Sequence, residues 1–307
     1  MRKKLSALLF LIPNFSFLII FYFSSCSTIP ADKAIHERPV VSESPQALVP
    51  GWKPFAPEAE GALAIFTGRT TQPRLEFWAV RIDLASPRIE IVTAPGGITE
   101  GGTGAVSIKV SSFVRNNKLL AGINALPFEP TSDIEGEHRS NFGIVISQGR
   151  ILSPLHPDFD ALVFYTDGSA AILPQREITS VVHIENAVGG FYQILENGSP
   201  SARTENNNDR YPRSAAGISA DGKFLYLLVV DGRRPLSVGS TEAETAIILR
   251  QLGAWDGTNF DGGGSSSLAL RFPDGNIAPV NKPSHGGIPG RERAVAGCLG
   301  VRLINEE

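Results

Sequence analysis

The sequence is short of cysteine, which occurs only at positions 26 and 298 among 307 residues. Two cysteines are too few for a disulfide-rich fold, and they exclude a zinc site built from several thiolates. Cys298 lies in the apolar stretch AVAGCLGV, so we interpret it as a small buried hydrophobic residue. If Cys26 carries a lipid, Cys298 has no partner for a disulfide bond.

An excess of charge of either sign is also lacking, since 28 Lys and Arg residues oppose 31 Asp and Glu residues. Proteins that bind nucleic acid carry a basic surface, so we predict no nucleic-acid partner. The sequence contains no repeat at solenoid or propeller spacing and no EF-hand loop or other dense acidic motif. We therefore assign no cofactor or metal. A divalent cation such as calcium stays open, through the carboxylate oxygens of Asp231, Glu244 and Asp261.

The N-terminus has the pattern of an export signal. The basic residues RKK precede an almost wholly apolar run that ends at Phe23, and small residues precede Cys26. We predict a signal peptide over 1–25, lipidation of Cys26, and a flexible tether over 26–60. An uncleaved membrane anchor is the alternative for the apolar run. The predicted protein is an exported, membrane-anchored lipoprotein of the bacterial cell envelope; the alternative is a periplasmic or secreted protein.

Residues 61–307 form the predicted folded domain and are mostly of β-type. Gln148-Gly149, Asp167-Gly168 and Asp221-Gly222 each lie between apolar runs and predict three hairpins. Strands do not alternate with helices, which favours the α+β class over a doubly wound fold. We expect a single domain with a large, twisted, mixed β-sheet, partly open and barrel-like, and a few packed helices.

Two helices are predicted within this domain. The spacing of apolar residues predicts a helix over 105–116. A second helix is predicted from Thr241 to Leu252, because Thr241 and Glu244 have the spacing of a capping box and Gly253 fits the C-terminal stop.

The stretch NFDGGGSSS, which begins at Asn259, is the first candidate for a binding site. It lacks the Lys-Ser/Thr ending of a P-loop, and an apparent strand follows it, which excludes a dinucleotide fingerprint. The amides of Gly262, Gly263 and Gly264 have the capacity to form an anion-binding nest, with the Ser265 hydroxyl beside them. A tight glycine corner between strands explains the same residues without a ligand.

Polar residues also stand at the ends of several predicted strands. Rigid strands hold side chains that loops leave free, so sites are often built there. An isolated arginine at such a place is more often a surface ion pair, but several beside a glycine loop favour an anionic ligand. The candidates are Asn124, Arg213, Asp231, Arg233 and Arg293.

The order of these motifs resembles the phosphodiester glycosidase family. The resemblance is carried by RSAAGI from Arg213, VVDGRRP, the helix with Glu244, NFDGGGS and the ending VNKPSHGGIPGRERAVAGC. Upstream, NALPF from Asn124 and NFGIVISQGRI resemble two further motifs. The similarity extends over about Ala62 to Leu303. NALPF departs from the family's usual stretch, and the Glu129–Ser140 segment is an insertion expected to shape specificity.

The resemblance implies a hydrolase that cleaves a sugar-1-phosphodiester, similar to an N-acetylglucosamine phosphodiester, at the sugar side. The substrate is expected in an envelope polymer or another glycan. Asp261 is then the expected nucleophile or general base. Glu244 is the expected partner carboxylate, with a purely structural role in the capping box as its alternative. The strand-end residues and the glycine loop are expected to bind the substrate, and His285 to face it.

Two other function classes stay open at this point. One is a non-catalytic envelope module that binds phosphorylated or acidic glycan through the same cleft. The other is a phosphodiesterase that cleaves at phosphorus, a reaction that normally needs metal ions.

Overall fold

The computed structural model describes residues 52–55, 61–93 and 104–304, all within one compact unit, Arg38–Glu307. The predicted signal peptide, Cys26 and most of the predicted tether lie outside the described residues. Within the described part, no helix combines the length and apolar character needed to cross a membrane. Strands are numbered below in chain order.

The largest sheet has eight strands, and Arg213 and Asn259 lie at the ends of two of them. In spatial order they are β1 (Lys53–Phe55), β2 (Leu63–Thr71), β3 (Arg74–Asp83), β17 (Phe224–Val230), β16 (Arg213–Ile218), β18 (Asp256–Asn259), β14 (Gln193–Glu196) and β15 (Ser199–Pro200). Strand β1 lies in the segment predicted as a tether and pairs with β2.

Three smaller sheets complete the β-structure. One contains β10 (Arg150–Ser153), β9 (Val145–Ser147), β13 (Ile184–Gly189), β11 (Asp160–Tyr165) and β12 (Ala170–Pro174). The next contains β20 (Ile277–Pro279), β19 (Leu268–Arg271), β6 (Ala121–Asn124), β21 (Cys298–Leu303) and β4 (Ile89–Val92). The last contains β5 (Gly104–Val106), β8 (His138–Asn141) and β7 (Phe128–Glu129).

The mostly β architecture is confirmed, but the expected sheet is corrected in two respects. Every pair of these named strands is antiparallel, so the sheets are not mixed. The described strands form four sheets, none of which closes on itself, so a barrel-like sheet is not confirmed. Alternation of apolar residues identifies a strand but leaves its partner open unless a short turn fixes it.

Both predicted helices exist, with one shortened. Helix α2 (Glu242–Leu252) has the predicted capping box, and Gly253 ends it at φ 113°. Helix α1 covers only Val110–Asn116, because Gly104–Val106 pairs with β8 instead. The three predicted hairpins are confirmed as β9–β10, β11–β12 and β16–β17.

Hydrophobic packing fixes these layers. The central core joins side chains from three sheets, among them Leu227, Leu162 and Ile123. Helix α2 covers the other face of the large sheet through Ala246 and Leu249. Cys298 is fully buried beneath α1, as expected, and burial raises the pKa of its thiol.

Strand pairing brings several chain segments to one end of the large sheet. Arg213 at the start of β16 pairs with Val230 at the end of β17, and Asn259 at the end of β18 pairs with Ala215. Asn124, at the end of β6, approaches from the third sheet. The glycine loop begins where these ends meet.

Candidate active site

Asp261 is held between two sheets by backbone hydrogen bonds. Its amide donates to the carbonyl of Ala125 over 2.8 Å, and its carbonyl accepts from Nδ2 of Asn124 over 2.6 Å. These bonds join the residue just after β18 to the end of β6. The Asp261 backbone is therefore fixed by rigid elements, as a catalytic side chain requires.

Asn124, at the end of β6, positions the segment that carries Asp261. It is 1% exposed, and its Oδ1 accepts from the Ser214 hydroxyl over 2.6 Å and from the Ser267 amide over 3.1 Å. Because Nδ2 donates to the Asp261 carbonyl, both polar side-chain atoms of Asn124 have hydrogen-bond partners within the protein. The predicted substrate-binding residue is thus placed where it supports the Asp261 loop.

Asp261 is half-buried as a residue, and its carboxyl group is electrostatically unusual. Burial raises its pKa to about 6, against the opposing effects of the Ser265 hydroxyl, the Arg293 charge and the Gly262 amide. A carboxyl with such a pKa exchanges a proton near neutral pH, which suits a general base or acid.

The predicted nest of three free amides is revised at Gly263, whose amide donates to Pro212 O over 2.8 Å. The Gly262 amide helps to lower the pKa of the Asp261 carboxyl. Gly263–Ser265 instead forms a 3-10 turn, with Gly263 at φ 62°. The Gly263 amide is therefore not free to bind an anion.

The glycines allow two arginine side chains to lie close to the backbone of the loop. A Cβ added to Gly264 would lie 2.5 Å from Nη2 of Arg293, and one added to Gly263 would lie 3.1 Å from Nη2 of Arg233. Any side chain at Gly264 would displace the guanidinium group. Two guanidinium groups therefore lie against the bare loop, an arrangement that favours an anionic ligand.

Arg293 is tied to the loop by directed hydrogen bonds. Its Nη1 donates to the Ser265 hydroxyl over 3.1 Å, and its Nε donates to Nδ1 of His285 over 3.0 Å. Burial lowers its pKa, the Asp261 carboxylate raises it, and the charge of Arg233 lowers it further. Arg233 is exposed, and its guanidinium lies 5.9 Å from the ring centre of Tyr211.

His285 lies beside Arg293 and is a neutral hydrogen-bond donor. Burial and the nearby Arg293 and Arg291 charges lower its pKa, against Asp133, so it is neutral near pH 7. Because Nδ1 accepts from Arg293, the ring proton lies on Nε2, which can donate to a ligand. The motif NKPSHGG indicated that His285 faces the substrate; its bond to Arg293 places it beside the loop.

Arg213 and Asp231 are both committed to contacts within the protein. Arg213 is 6% exposed and bonds to Glu242 over 3.2 Å and to the carbonyls of Ser240 and Asp209. Asp231 is 1% exposed, and burial raises its pKa. Its oxygens accept from the Lys282 amide, from Asn281 and from Arg234. Both predicted substrate-binding residues are therefore placed as supports of the surrounding loops.

Glu244 folds back onto its own helix terminus. Its Oε2 accepts from the Thr241 amide over 3.1 Å, and its two oxygens bond to Arg210 over 2.6 and 2.7 Å. These are the contacts of a capping residue, the alternative that the sequence left open. We therefore do not assign it a catalytic role.

Replacing Glu244 by Ala is expected to lower the free energy of unfolding by about 1 kcal/mol, through loss of the cap and the Arg210 pair. Turnover should change by less than about threefold, because both carboxylate oxygens are committed to the Thr241 amide and Arg210. Thermal melting and steady-state kinetics measure the two effects. A loss of turnover above a hundredfold in the folded variant would restore Glu244 as a catalytic group.

A buried network behind the loop was not foreseen from the sequence. Glu242 is 2% exposed, and its carboxylate accepts from the Tyr192 hydroxyl over 2.7 and 2.9 Å as well as from Arg213. Both partners are distant in sequence, so only the capping box signalled that this helix start mattered. Glu242 neutralises Arg213 beneath the site.

Among the residues that the structure describes, no group of three or more His, Cys, Asp or Glu side chains is arranged to hold a metal ion. The three oxygen-bearing candidates, Asp231, Glu244 and Asp261, each have separate protein partners.

Comparison with known proteins gives a consistent family and fold. The family model for phosphodiester glycosidases matches residues 117–302, which is more than half of the chain. A curated relative, the SPbeta prophage-derived uncharacterized protein YomE of Bacillus subtilis (strain 168), is 24% identical over 214 residues. This match covers 64% of the chain but only 30% of that protein.

Two solved structures have a similar fold. The catalytic domain of zebrafish N-acetylglucosamine-1-phosphodiester alpha-N-acetylglucosaminidase, auto-inhibited by its pro-peptide, aligns with a TM-score of 0.58 and 19% identity. The alignment covers 78% of this chain and 82% of that one. A hypothetical protein from Synechocystis aligns with a TM-score of 0.54 and 15% identity, over 80% and 62% of the two chains.

Proposed function

Because the chain belongs to the phosphodiester glycosidase family, we propose that it hydrolyses a sugar-1-phosphodiester between the anomeric carbon and the phosphate oxygen. The observation that carries this proposal is one carboxyl with a pKa of about 6, Asp261, beside two guanidinium groups on a glycine loop. An N-acetylglucosamine phosphodiester in an envelope polymer or scavenged glycan is the proposed substrate.

The cations are suited to the leaving group. When the carbon–oxygen bond breaks, its electron pair passes to the phosphate oxygen, and a phosphate monoester departs as an anion. We expect Arg233, Arg293 and the Nε2–H of His285 to bind that charge, since both guanidinium groups lie against the glycine loop and His285 bonds to Arg293. Fixed donors aimed at developing charge are among the strongest catalytic devices, so the leaving group needs little protonation.

Asp261 supplies the carboxylate that the sugar carbon requires. In its ionised form it either attacks the anomeric carbon or takes a proton from the attacking water. Both routes attach the water oxygen to the sugar and release phosphate with its original oxygens. Both also require the ionised carboxylate, so the rate should rise with pH through about 6.

Hydrolysis in water labelled with oxygen-18 tests which bond breaks. We expect the label on the anomeric carbon of the released sugar and none in the phosphate monoester, both read by mass spectrometry. Label in the phosphate would identify a phosphodiesterase that cleaves at phosphorus. Tight binding of the glycan without turnover would favour the non-catalytic envelope module.

The export of this enzyme stays a prediction. A signal peptide over 1–25 and a lipid on Cys26 would place the domain at a membrane, near envelope polymers. Recovery of the Cys26→Ser variant in the soluble fraction would support this anchoring, whereas its unchanged recovery with membranes would contradict it.

A further inference from the structure

A cluster of aromatic side chains lies at the same end of the fold as Asp261, outside the cationic site. The rings of His156 and Phe159 stack with centres 4.2 Å apart and planes at 17°. Phe191 meets Phe159 edge-on, with centres 5.4 Å apart. All three side chains are partly exposed. We call these three residues the aromatic cluster.

The aromatic cluster is joined to the strand that leads into Asp261. The Phe191 amide donates to the carbonyl of Asn259 over 2.8 Å, and the Asn259 amide donates to Tyr192 O over 3.0 Å. Asp261 follows Asn259 by two residues, which in extended chain is about 7 Å. The backbone of Phe191 is therefore a near neighbour of the catalytic loop.

The aromatic cluster and the arginines contact different parts of the segment that carries Asp261. The contact with Phe191 precedes Asp261, at Asn259, whereas the contacts with Arg233 and Arg293 follow it, at Gly263 and Gly264. In a sugar phosphodiester the phosphate lies between the sugar and the rest of the polymer. If the arginines hold the phosphate and Asp261 meets the anomeric carbon, the sugar ring lies beyond Asp261 from the phosphate. The aromatic cluster, joined to this segment at Asn259 and not at the arginine contacts, offers an apolar surface for that ring.

Two buried polar atoms near the aromatic cluster have no hydrogen-bond partner within the protein. The Oδ1 of Asn259, a residue that is 2% exposed, and the Nδ1 of His156 are both buried and have no partner within the protein. Buried polar atoms are normally paired, so such atoms indicate an ordered water or a ligand beside them. A sugar, with an apolar ring face and polar edges, matches aromatic rings bordered by polar groups.

We propose that the aromatic cluster is the sugar subsite, in which the pyranose ring packs on Phe191 while the phosphate lies against Arg233 and Arg293. This inference rests on the proposed function, because it takes the bond-cleaving position from Asp261. It adds a second determinant of specificity, which recognises the ring and not the charge.

Replacing Phe191 by Leu removes the flat ring and keeps an apolar side chain. We expect the KM for an N-acetylglucosamine phosphodiester to rise about tenfold, with kcat changed less than about twofold. Inhibition by inorganic phosphate should be unchanged, because that anion uses only the arginines. Phe191→Tyr, which keeps the ring, should keep the wild-type KM. The matched control is Phe224→Leu. Phe224 is also partly exposed but lies at the start of β17, whereas the end of β17 pairs with Arg213 beside the site.

A binding measurement separates this inference from the proposed function. Saturation-transfer NMR with free N-acetylglucosamine should show transfer to the sugar protons in the wild-type protein and in Phe224→Leu, and a loss of transfer in Phe191→Leu. That result supports the subsite even if no turnover is found. Equal transfer in the two Leu variants, or an equal KM, would overturn the subsite and leave the cationic site unaffected.

Discussion

Replacing Asp261 by Asn is expected to lower kcat/KM for a sugar phosphodiester by about a thousandfold, because the amide neither accepts a proton from water nor attacks the anomeric carbon. The side chain keeps nearly the same shape, so substrate binding should be retained. Steady-state kinetics with an N-acetylglucosamine phosphodiester measure the loss. The matched control is Asp274→Asn, an exposed aspartate between β19 and β20, which should retain wild-type rates.

The stability of the same variant gives an independent check on folding. Burial raises the pKa of Asp261 to about 6 in the folded protein, against about 4 in the unfolded chain. The folded state therefore holds this proton more tightly, and the free energy of unfolding falls as pH rises from about 4 through about 6. An asparagine side chain does not ionise, so the variant avoids the free-energy cost of burying an ionised carboxylate. Asp261→Asn should therefore be more stable than wild type at pH 7 by about 1–3 kcal/mol, and equally stable below about pH 4. Wild-type turnover in this stabilised variant would remove Asp261 from the mechanism.

Replacing Arg293 by Ala is expected to lower kcat/KM by about a hundredfold or more, because one charged donor to the departing phosphate is lost. Inhibition by inorganic phosphate should weaken in parallel. Arg293 also lowers the pKa of Asp261, so its removal should move the acid limb of the pH–rate profile to higher pH. Both rate and inhibition are read from steady-state kinetics across pH.

Arg302→Ala is the matched control for this prediction, since Arg302 pairs with Glu90 on the strand pair β4–β21. Its rate and phosphate inhibition should equal those of wild type. Unchanged inhibition by phosphate in Arg293→Ala would show that the anion binds elsewhere.

Local sequence signals predicted those parts of the fold that depend on neighbouring residues. The hairpin at Asp221-Gly222 and the capping box of Thr241 and Glu244 form within a few residues, and both are present. The helix over 105–116 failed at its start, because residues 104–106 pair with a strand more than thirty residues away. Strand partners without a short turn between them left no local signal, so the sheet arrangement was only partly predicted.

The candidate site, like the fold, was predicted where neighbouring residues determine the structure and missed where distant residues do. The sequence identified Asp261 and the glycine loop, since an acid followed by three glycines is unusual within four residues. It did not show that Pro212 occupies the Gly263 amide or that Glu242 neutralises Arg213, because those partners come from other strands and loops. Three strand-end candidates, Asn124, Arg213 and Asp231, bond to groups within the protein. Arg233 and Arg293 lie against the glycine loop, and His285 bonds to Arg293.

The pH dependence of kcat/KM for the wild-type protein, with an N-acetylglucosamine phosphodiester as substrate, tests the central claim most directly. The account predicts an acid limb with an inflection at about pH 6, where the Asp261 carboxyl ionises between the β18 strand and the two arginines. A rate that stays constant from pH 7 down to about 4 would contradict it, because the group controlling hydrolysis would then be an ordinary carboxyl or none at all.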